Sequence, residues 1–184
     1  MIVCFGDSIT AGQHVDPDLA WPALVRASTG EDISVAAVPG DTSRLAMERF
    51  ARDVQVPRPE AVIIQFGHND ANRWQTDGGV PRVSNAGFQA NLEEMVARCR
   101  AFGIQPIFCS LTPSQRSELH ELDCSEYNST LVAMSAYLDV PLINVRSVFT
   151  PPDGLLLDGL HLNEAGHRLY AGCVIHHLNA WRGR

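Results

Sequence analysis

Lysine is absent from the 184-residue chain, and all 14 basic residues are arginines. Without a lysine amine the protein cannot carry the phosphate-binding lysine of a P-loop, a Schiff-base lysine or the base of a Ser-Lys hydrolase. The formal net charge is −7, whereas phosphate backbones are bound through clusters of basic residues. We therefore expect no nucleic-acid partner.

Long apolar runs and a regular set of cysteines are also missing. No apolar segment approaches the ~20 residues that span a bilayer, and Met1 leads directly into a strand-like run without a basic segment. Neither a membrane span nor a signal peptide is therefore expected. The five cysteines are odd in number and scattered, which favours reduced core thiols over disulfides or a zinc site. A cytoplasmic protein is the simplest interpretation.

Apolar runs that resemble strands alternate with segments of helical spacing along the whole chain. The strands are predicted at 2–5, 33–38, 61–66, 106–111 and 141–145, and the helices at 19–28, 44–52, 86–102, 125–138 and 164–181. Ser43 and Asn163 are expected to cap two of these helices. Repeated βα units predict a parallel sheet with helices on both faces. The predicted fold is α/β, a three-layer α/β/α arrangement around a flavodoxin-like five-stranded parallel sheet.

Gly6-Asp7-Ser8 follows the first predicted strand, at the carboxyl edge where open α/β sheets keep their sites. One interpretation is a serine nucleophile held in a strand-to-helix turn. The other is a tight turn in which Asp7 or Ser8 caps the next helix. Two longer irregular stretches, 67–85 and 112–124, follow other strands, and loops of that length tend to be functional.

A serine nucleophile needs a base and a group that orients the base. Asp158 and His161 stand close together before the last helix, so His161 could accept the Ser8 proton while Asp158, or a backbone carbonyl, holds the other ring nitrogen. The alternative is a solvated loop carboxylate and a surface histidine. Asp158, His161 and His167 could also be read as metal ligands. The dense ligand set of a metal site is missing, so no metal is expected.

An acyl-transfer site also needs neutral donors for the developing oxyanion. Gly40 follows the second strand, and a glycine can bring its backbone N–H close to a ligand. Asn69 follows the third strand and can offer a side-chain amide. Each has a simpler explanation as turn chemistry, but all of these motifs fall on one edge of the sheet.

Four motifs together identify a family that the chain resembles, the SGNH hydrolases that include the GDSL esterases and lipases. They are Gly6-Asp7-Ser8, Gly40 within Pro-Gly-Asp-Thr-Ser, Gly67-His68-Asn69-Asp70, and Asp158-Gly159-Leu160-His161. The resemblance implies one domain, 1–184, that hydrolyses a small-molecule carboxylic ester through a covalent acyl-enzyme, without a cofactor. It implies Ser8 as nucleophile, His161 as base and Asp158 as its orienter, with an oxyanion hole formed by Ser8, Gly40 and Asn69.

The substrate indications are less uniform. The third motif resembles members that remove acetyl groups from carbohydrates, whereas Ala20-Trp21-Pro22-Ala23-Leu24 resembles thioesterases and lysophospholipases. The second motif has Val35 and Ala36 where relatives often have an asparagine. The short chain leaves little room for a lid, so we expect an open site for short-acyl, acetyl-type esters. Outside this class, the chain could be a non-enzymatic flavodoxin-like module that binds phosphate or flavin at residues 6–12.

Overall fold

A five-stranded sheet forms the centre of the protein, whose computed structural model describes residues 1–150 and 154–183. The strands are β1 Ile2–Gly6, β2 Ile33–Ala37, β3 Ala61–Gln65, β4 Gln105–Cys109 and β5 Leu142–Ile143. Every neighbouring pair is parallel, and the strand order is β2-β1-β3-β4-β5. This is the flavodoxin-like order, so the predicted fold class is confirmed.

Helices cover both faces of this sheet. Within the described residues the α-helices are α1 Ser8–Ala11, α2 Trp21–Thr29, α3 Ser43–Phe50, α4 His68–Ala71, α5 Asn85–Ala101, α6 Glu118–Tyr137 and α7 Glu164–Arg182. A π-helical turn, Ala51–Gln55, continues α3, and three 3-10 turns occupy Pro17–Leu19, Gln75–Asp77 and Val145–Val148. No helix in 1–150 or 154–183 combines the length and the apolar character needed to cross a membrane.

Strand alternation divides the core into two layers. Side chains of successive strand residues point to opposite faces, and β1 follows this rule: Val3 and Phe5 join one apolar cluster, whereas Ile2 and Cys4 join the other. The first cluster packs under α3, α5 and α6, and the second packs under α2 and α7. All five cysteines are free thiols, and four of them are buried.

Several predicted boundaries were wrong. The stretch 112–124 was expected to be irregular, but α6 already begins at Glu118, because the Ser117 hydroxyl accepts a hydrogen bond from the His120 N–H at 3.1 Å. Thr42, and not Ser43, caps α3 by accepting from the Leu45 N–H. The last strand keeps only two of its five predicted residues. The predicted cap of α7, Asn163, is confirmed by its hydrogen bond from the Gly166 N–H.

Candidate active site

Ser8 lies at the point where β1 turns into α1. The Asp7 carboxylate caps α1 by accepting from the Ile9 N–H at 3.0 Å, and Ser8 is the first residue of that helix. A Cβ atom at Gly6 would lie 2.2 Å from the Thr10 hydroxyl, so only glycine fits this turn. Asp7 therefore is the cap, while the hydroxyl of Ser8 is left to meet another group.

That group is His161. Its Nε2 atom lies 3.0 Å from Ser8 Oγ, and its Nδ1 atom lies 2.8 Å from Asp158 Oδ2. An ionised carboxylate can only accept, so Nδ1 carries the ring proton and Nε2 is left to accept from the Ser8 hydroxyl. The alternative in which a backbone carbonyl holds Nδ1 is thereby excluded. Both Ser8 and His161 are buried.

Asp158 is held by several donors. Its Oδ1 accepts from the backbone N–H groups of Leu160 and His161, and its Oδ2 also accepts from Arg116 Nη2 at 3.1 Å. Partial burial acts to raise the pKa of Asp158, but the bonds from His161 and Arg116 outweigh it and hold the pKa well below its usual range. The carboxylate therefore stays ionised.

The loop before α7 can bend inward only because of Gly159. Its φ is 80°, and an added Cβ atom would lie 2.9 Å from the Gln115 carbonyl carbon. The Gly159 carbonyl accepts from the Gln115 N–H at 2.7 Å. The segment before α6 thus sets the position of both Asp158 and His161.

Asn69 reaches the same edge from the third strand. Gly67 turns the chain with a φ of 136°, α4 begins directly after it, and Asn69 Nδ2 donates to Asp7 Oδ2 at 3.3 Å. A primary amide carries two N–H bonds, and this contact uses one of them.

Gly40 lies in the loop after β2. The Val38 N–H donates to the Gly6 carbonyl at 3.1 Å, which ties this loop to the end of β1. Gly40 has a φ of 82°, and in the part of the chain that the structure describes no atom lies within 4 Å of the place where its Cβ would be. Its carbonyl accepts from Arg82 Nη1 at 2.9 Å, and the Arg82 guanidinium stacks on the exposed Trp74 ring. The backbone at Gly40 is therefore both fixed and open to solvent.

Arg49 ties the loop after β2 to the ends of β1 and β2. From α3 its guanidinium donates to the Ala36 and Gly6 carbonyls and to the Asp41 carboxylate, at 3.0, 3.0 and 2.6 Å. Nη1 also donates to Asp53. The group lies 4.4 Å from the centroid of the Phe5 ring. Sequence reasoning missed Arg49, because nothing in the local pattern shows that this helix residue reaches two strand ends.

Two carboxyl groups beside the site are buried. Burial raises the pKa of Asp7 to about 7 and the pKa of Asp70 to about 6, although hydrogen bonds to both carboxylates act in the opposite direction. Asp70 accepts from the backbone N–H and the hydroxyl of Ser43. It therefore joins α4 to α3, and with them the loops that carry Asn69 and Gly40.

The remaining histidines divide between core and surface. His167 is buried in α7, and its Nδ1 accepts from the Trp21 N–H at 3.2 Å. His120, which was expected in a loop, lies in α6 with its Nδ1 2.7 Å from Ser114 Oγ. His14 does lie at the site, because its ring meets the His161 ring edge to face at 5.0 Å. The sequence offered no signal for that contact.

Trp21 and His68, one side chain from each motif that suggested a substrate class, are buried in the core. Trp21 is fully buried and stacks on Tyr170 with ring centroids 5.0 Å apart. His68 is also buried, with its Nε2 atom 2.9 Å from the Thr112 carbonyl oxygen. Burial lowers the pKa of His68 to about 3, so the ring stays neutral. Neither side chain is exposed to a substrate, and their identity does not discriminate between acetyl esters and thioesters.

Comparison with known proteins gives concordant matches. The family model described as GDSL-like lipase/acylhydrolase matches residues 4–169. An uncharacterised lipoprotein of Bacillus subtilis, YqeF, is 31% identical over 83% of this chain and 73% of its own length. Thioesterase 1/protease 1/lysophospholipase L1 of Escherichia coli K12 is 24% identical over 89% of this chain and 76% of its own. The crystal structure of a lipase/acylhydrolase from Enterococcus faecalis superposes with a TM-score of 0.80 at 28% identity, covering 97% of this chain and 95% of that one.

Proposed function

The chain belongs to the GDSL-like lipase and acylhydrolase family of the SGNH hydrolases and is a serine ester hydrolase, and from that premise we propose that Ser8 is its nucleophile. In this proposal His161 is the general base and Asp158 orients it. The supporting observation is the continuous line of contacts from Ser8 Oγ through both ring nitrogens of His161 to Asp158, at 3.0 and 2.8 Å. This arrangement can remove the serine proton while the carboxylate stabilises the resulting imidazolium.

The reaction proceeds in two acyl-transfer steps. Ser8 Oγ attacks the ester carbonyl carbon as its proton moves to His161 Nε2, and the carbonyl oxygen becomes the oxyanion. When the tetrahedral intermediate collapses, His161 protonates the departing alcohol and the acyl group stays on Ser8. Water then attacks the acyl-enzyme with His161 again as the base, and the acid product leaves.

The oxyanion is held by the backbone N–H groups of Ser8 and Gly40 and by the Asn69 side chain. Fixed donors of this kind stabilise charge where it develops in the transition state. The open space at Gly40 and the second N–H of Asn69 support this role. The bond from Asn69 to Asp7 restrains the amide before substrate arrives, so little reorganisation is needed.

Short-acyl esters of the acetyl type, including acetylated carbohydrates, are the substrate class we propose. The connections around Ser8 are brief: Asp7 alone separates β1 from α1, and Phe66 and Gly67 alone separate β3 from α4. The exposed side chains of Trp74 and Leu157 flank the site on segments that contact Gly40 and His161. Such a rim supports a shallow site over a deep acyl tunnel.

Thioester or lysophospholipid hydrolysis is the alternative within the same superfamily. It is favoured by the sequence similarity to the Escherichia coli enzyme whose name includes both activities.

A cytoplasmic location stays a prediction. It is supported by the burial of four of the five free thiols, whereas the Bacillus subtilis relative is named a lipoprotein.

An activity screen of the purified protein tests both the proposed mechanism and the proposed substrate class. The substrates are p-nitrophenyl esters from acetate to palmitate, acetylated sugars, acyl-CoA and lysophospholipid. Ser8→Ala is the blank, and Ser129→Ala, on the exposed face of α6, is the matched control. We expect fluorophosphonate labelling and acetate hydrolysis in the parent and in Ser129→Ala but not in Ser8→Ala. Full activity in Ser8→Ala would refute the mechanism, and a preference for palmitate would refute the substrate class.

A further inference from the structure

Three side chains that can bind a metal ion converge at the site, where the exposed His14 joins the proposed catalytic pair Asp158 and His161. One atom each of His14, Asp158 and His161 lies within 4.8 Å of the other two. His14 and Asp158 are exposed, whereas His161 is buried. An ion from solvent could therefore approach all three without any rearrangement of the core.

The backbone sets the position of the His14 imidazole. His14 has a φ of 75°, a left-handed conformation that is uncommon outside glycine, although histidine adopts it more often than most other residues. The flanking hydrogen bonds from Gln13 N–H to the Ser8 carbonyl, at 3.0 Å, and from Val15 N–H to the Gly12 carbonyl, at 3.2 Å, hold this turn against α1. The ring that results is exposed and stands edge to face against His161, so core packing does not account for its place.

We propose that His14, Asp158 and His161 form a zinc site. Two imidazole nitrogens and one carboxylate oxygen, with water in a fourth position, are the ligand set of known three-residue zinc sites. Bond lengths of about 2.0–2.2 Å place tetrahedral ligands roughly 3.4 Å apart. The separations between these atoms must therefore shorten by about 1.4 Å at most. Rotation of the exposed His14 side chain can supply this, because Asp158 Oδ2 already lies 2.8 Å from His161 Nδ1.

Bound zinc would inhibit the enzyme, a consequence that rests on the proposed function although the binding itself does not. If zinc takes His161 Nδ1, the ring proton moves to Nε2, which can then no longer accept from Ser8. If zinc takes Nε2, it occupies the place of the Ser8 hydroxyl. In both cases His161 is lost as a base, and a chelator restores it.

The positive charge of Arg116 weakens the binding of a cation at this site. Its guanidinium bonds to Asp158 Oδ2, so a divalent cation must compete with a positive charge for the same carboxylate. Removal of this charge should tighten zinc binding, whereas removal of the His14 imidazole should weaken it. Substitution of Arg116 and substitution of His14 should therefore shift the zinc affinity in opposite directions.

Calorimetric titration of the chelator-treated protein with zinc chloride tests the site independently of activity. We expect one zinc per chain, at least about ten-fold weaker binding in His14→Ala, where a direct ligand is lost, and tighter binding in Arg116→Gln. His176→Ala, which removes an exposed histidine of α7, is the matched control and should bind as the parent does. Equal affinity in His14→Ala and the parent would overturn the proposal.

Hydrolysis of p-nitrophenyl acetate gives the second measurement. Zinc should inhibit the parent and His176→Ala reversibly, and His14→Ala should keep its activity in the presence of the same zinc concentration. Zinc binding that depends on His14 in a protein without esterase activity would uphold the site and refute the proposed function. Inhibition that is unchanged in His14→Ala would refute the site and leave the esterase mechanism intact.

Discussion

Asn69 donates a hydrogen bond of 3.3 Å to Asp7, the residue that precedes Ser8 in the chain. The third sequence motif is thereby joined to the first through a carboxyl group that has no exposed surface. The contact orients the amide that we propose as an oxyanion donor. Asn69 acts on the reaction in this proposal, whereas the buried Asp7 acts on stability. The two residues can therefore be tested separately.

Asn69→Ala should lower kcat by about 10²–10³ with little change in KM, because the lost N–H acts mainly on the transition state. Asn72→Ala is the matched control, since it removes the same amide three residues further on, after the end of α4. Steady-state kinetics with p-nitrophenyl acetate measure both. A fall in kcat of similar size in the two variants would contradict the role of Asn69.

Asp7→Asn should make stability less dependent on pH. Burial raises the pKa of Asp7 from 3.8 to about 7, so the folded state binds more protons than the unfolded state and loses stability as pH rises through this window. A pKa shift of about three units corresponds to roughly 4 kcal/mol in the free energy of unfolding. Asparagine keeps the helix cap and cannot ionise.

Urea unfolding of the parent and Asp7→Asn at pH 4 and pH 8 provides the measurement. The variant should gain stability relative to the parent on going to pH 8. The buried histidines His68 and His167 act in the opposite direction, because their lowered pKa values favour the folded state at higher pH. Both histidines are present in the two proteins, so their contributions cancel when the stability of the variant is compared with that of the parent. An identical pH dependence of the two proteins would show that Asp7 does not titrate in this range.

Arg49→Met should destabilise the fold by about 3 kcal/mol, because it leaves the largely buried carboxylate of Asp41 without its cation. Arg52→Met removes the other arginine that pairs with Asp53, but the Arg52 side chain is 75% exposed. Exposed ion pairs contribute little, so its unfolding midpoint should stay close to that of the parent. Urea unfolding of both variants decides the matter, and equal midpoints would contradict the bridging role of Arg49.

Gly159→Ala should reduce activity far more than Gly154→Ala. Both glycines have a positive φ, but a Cβ atom at Gly159 meets the backbone of residues 115 and 116, whereas at Gly154 it meets no atom of residues 1–150 or 154–183 within 4 Å. The overlap displaces Asp158 and His161, and a displacement of about 1 Å costs on the order of 10² in kcat. Kinetics of both variants, with circular dichroism as a check of folding, test this. Parent-like activity in Gly159→Ala would contradict it.

The fold and the proposed catalytic residues could be predicted for a simple physical reason. Strand residues alternate between two faces, and parallel strands present their carboxyl ends at one edge, so motifs after several strands must meet there. Ser8, Gly40 and Asn69 follow β1, β2 and β3 in this way. Element boundaries were less accurate, as at Glu118, because a cap depends on one side-chain rotamer.

The sequence by itself determined the fold class, the membership of a serine ester hydrolase family and the residues that we propose as catalytic. Only the tertiary structure showed that Arg49 joins the ends of two strands, that Arg116 competes for Asp158, and that His14 stands against His161. It also placed Trp21 and His68 in the core, which removes them as indicators of substrate. These relationships join residues far apart in the chain, and the direction of a side chain across such a gap depends on packing, which local periodicity does not encode.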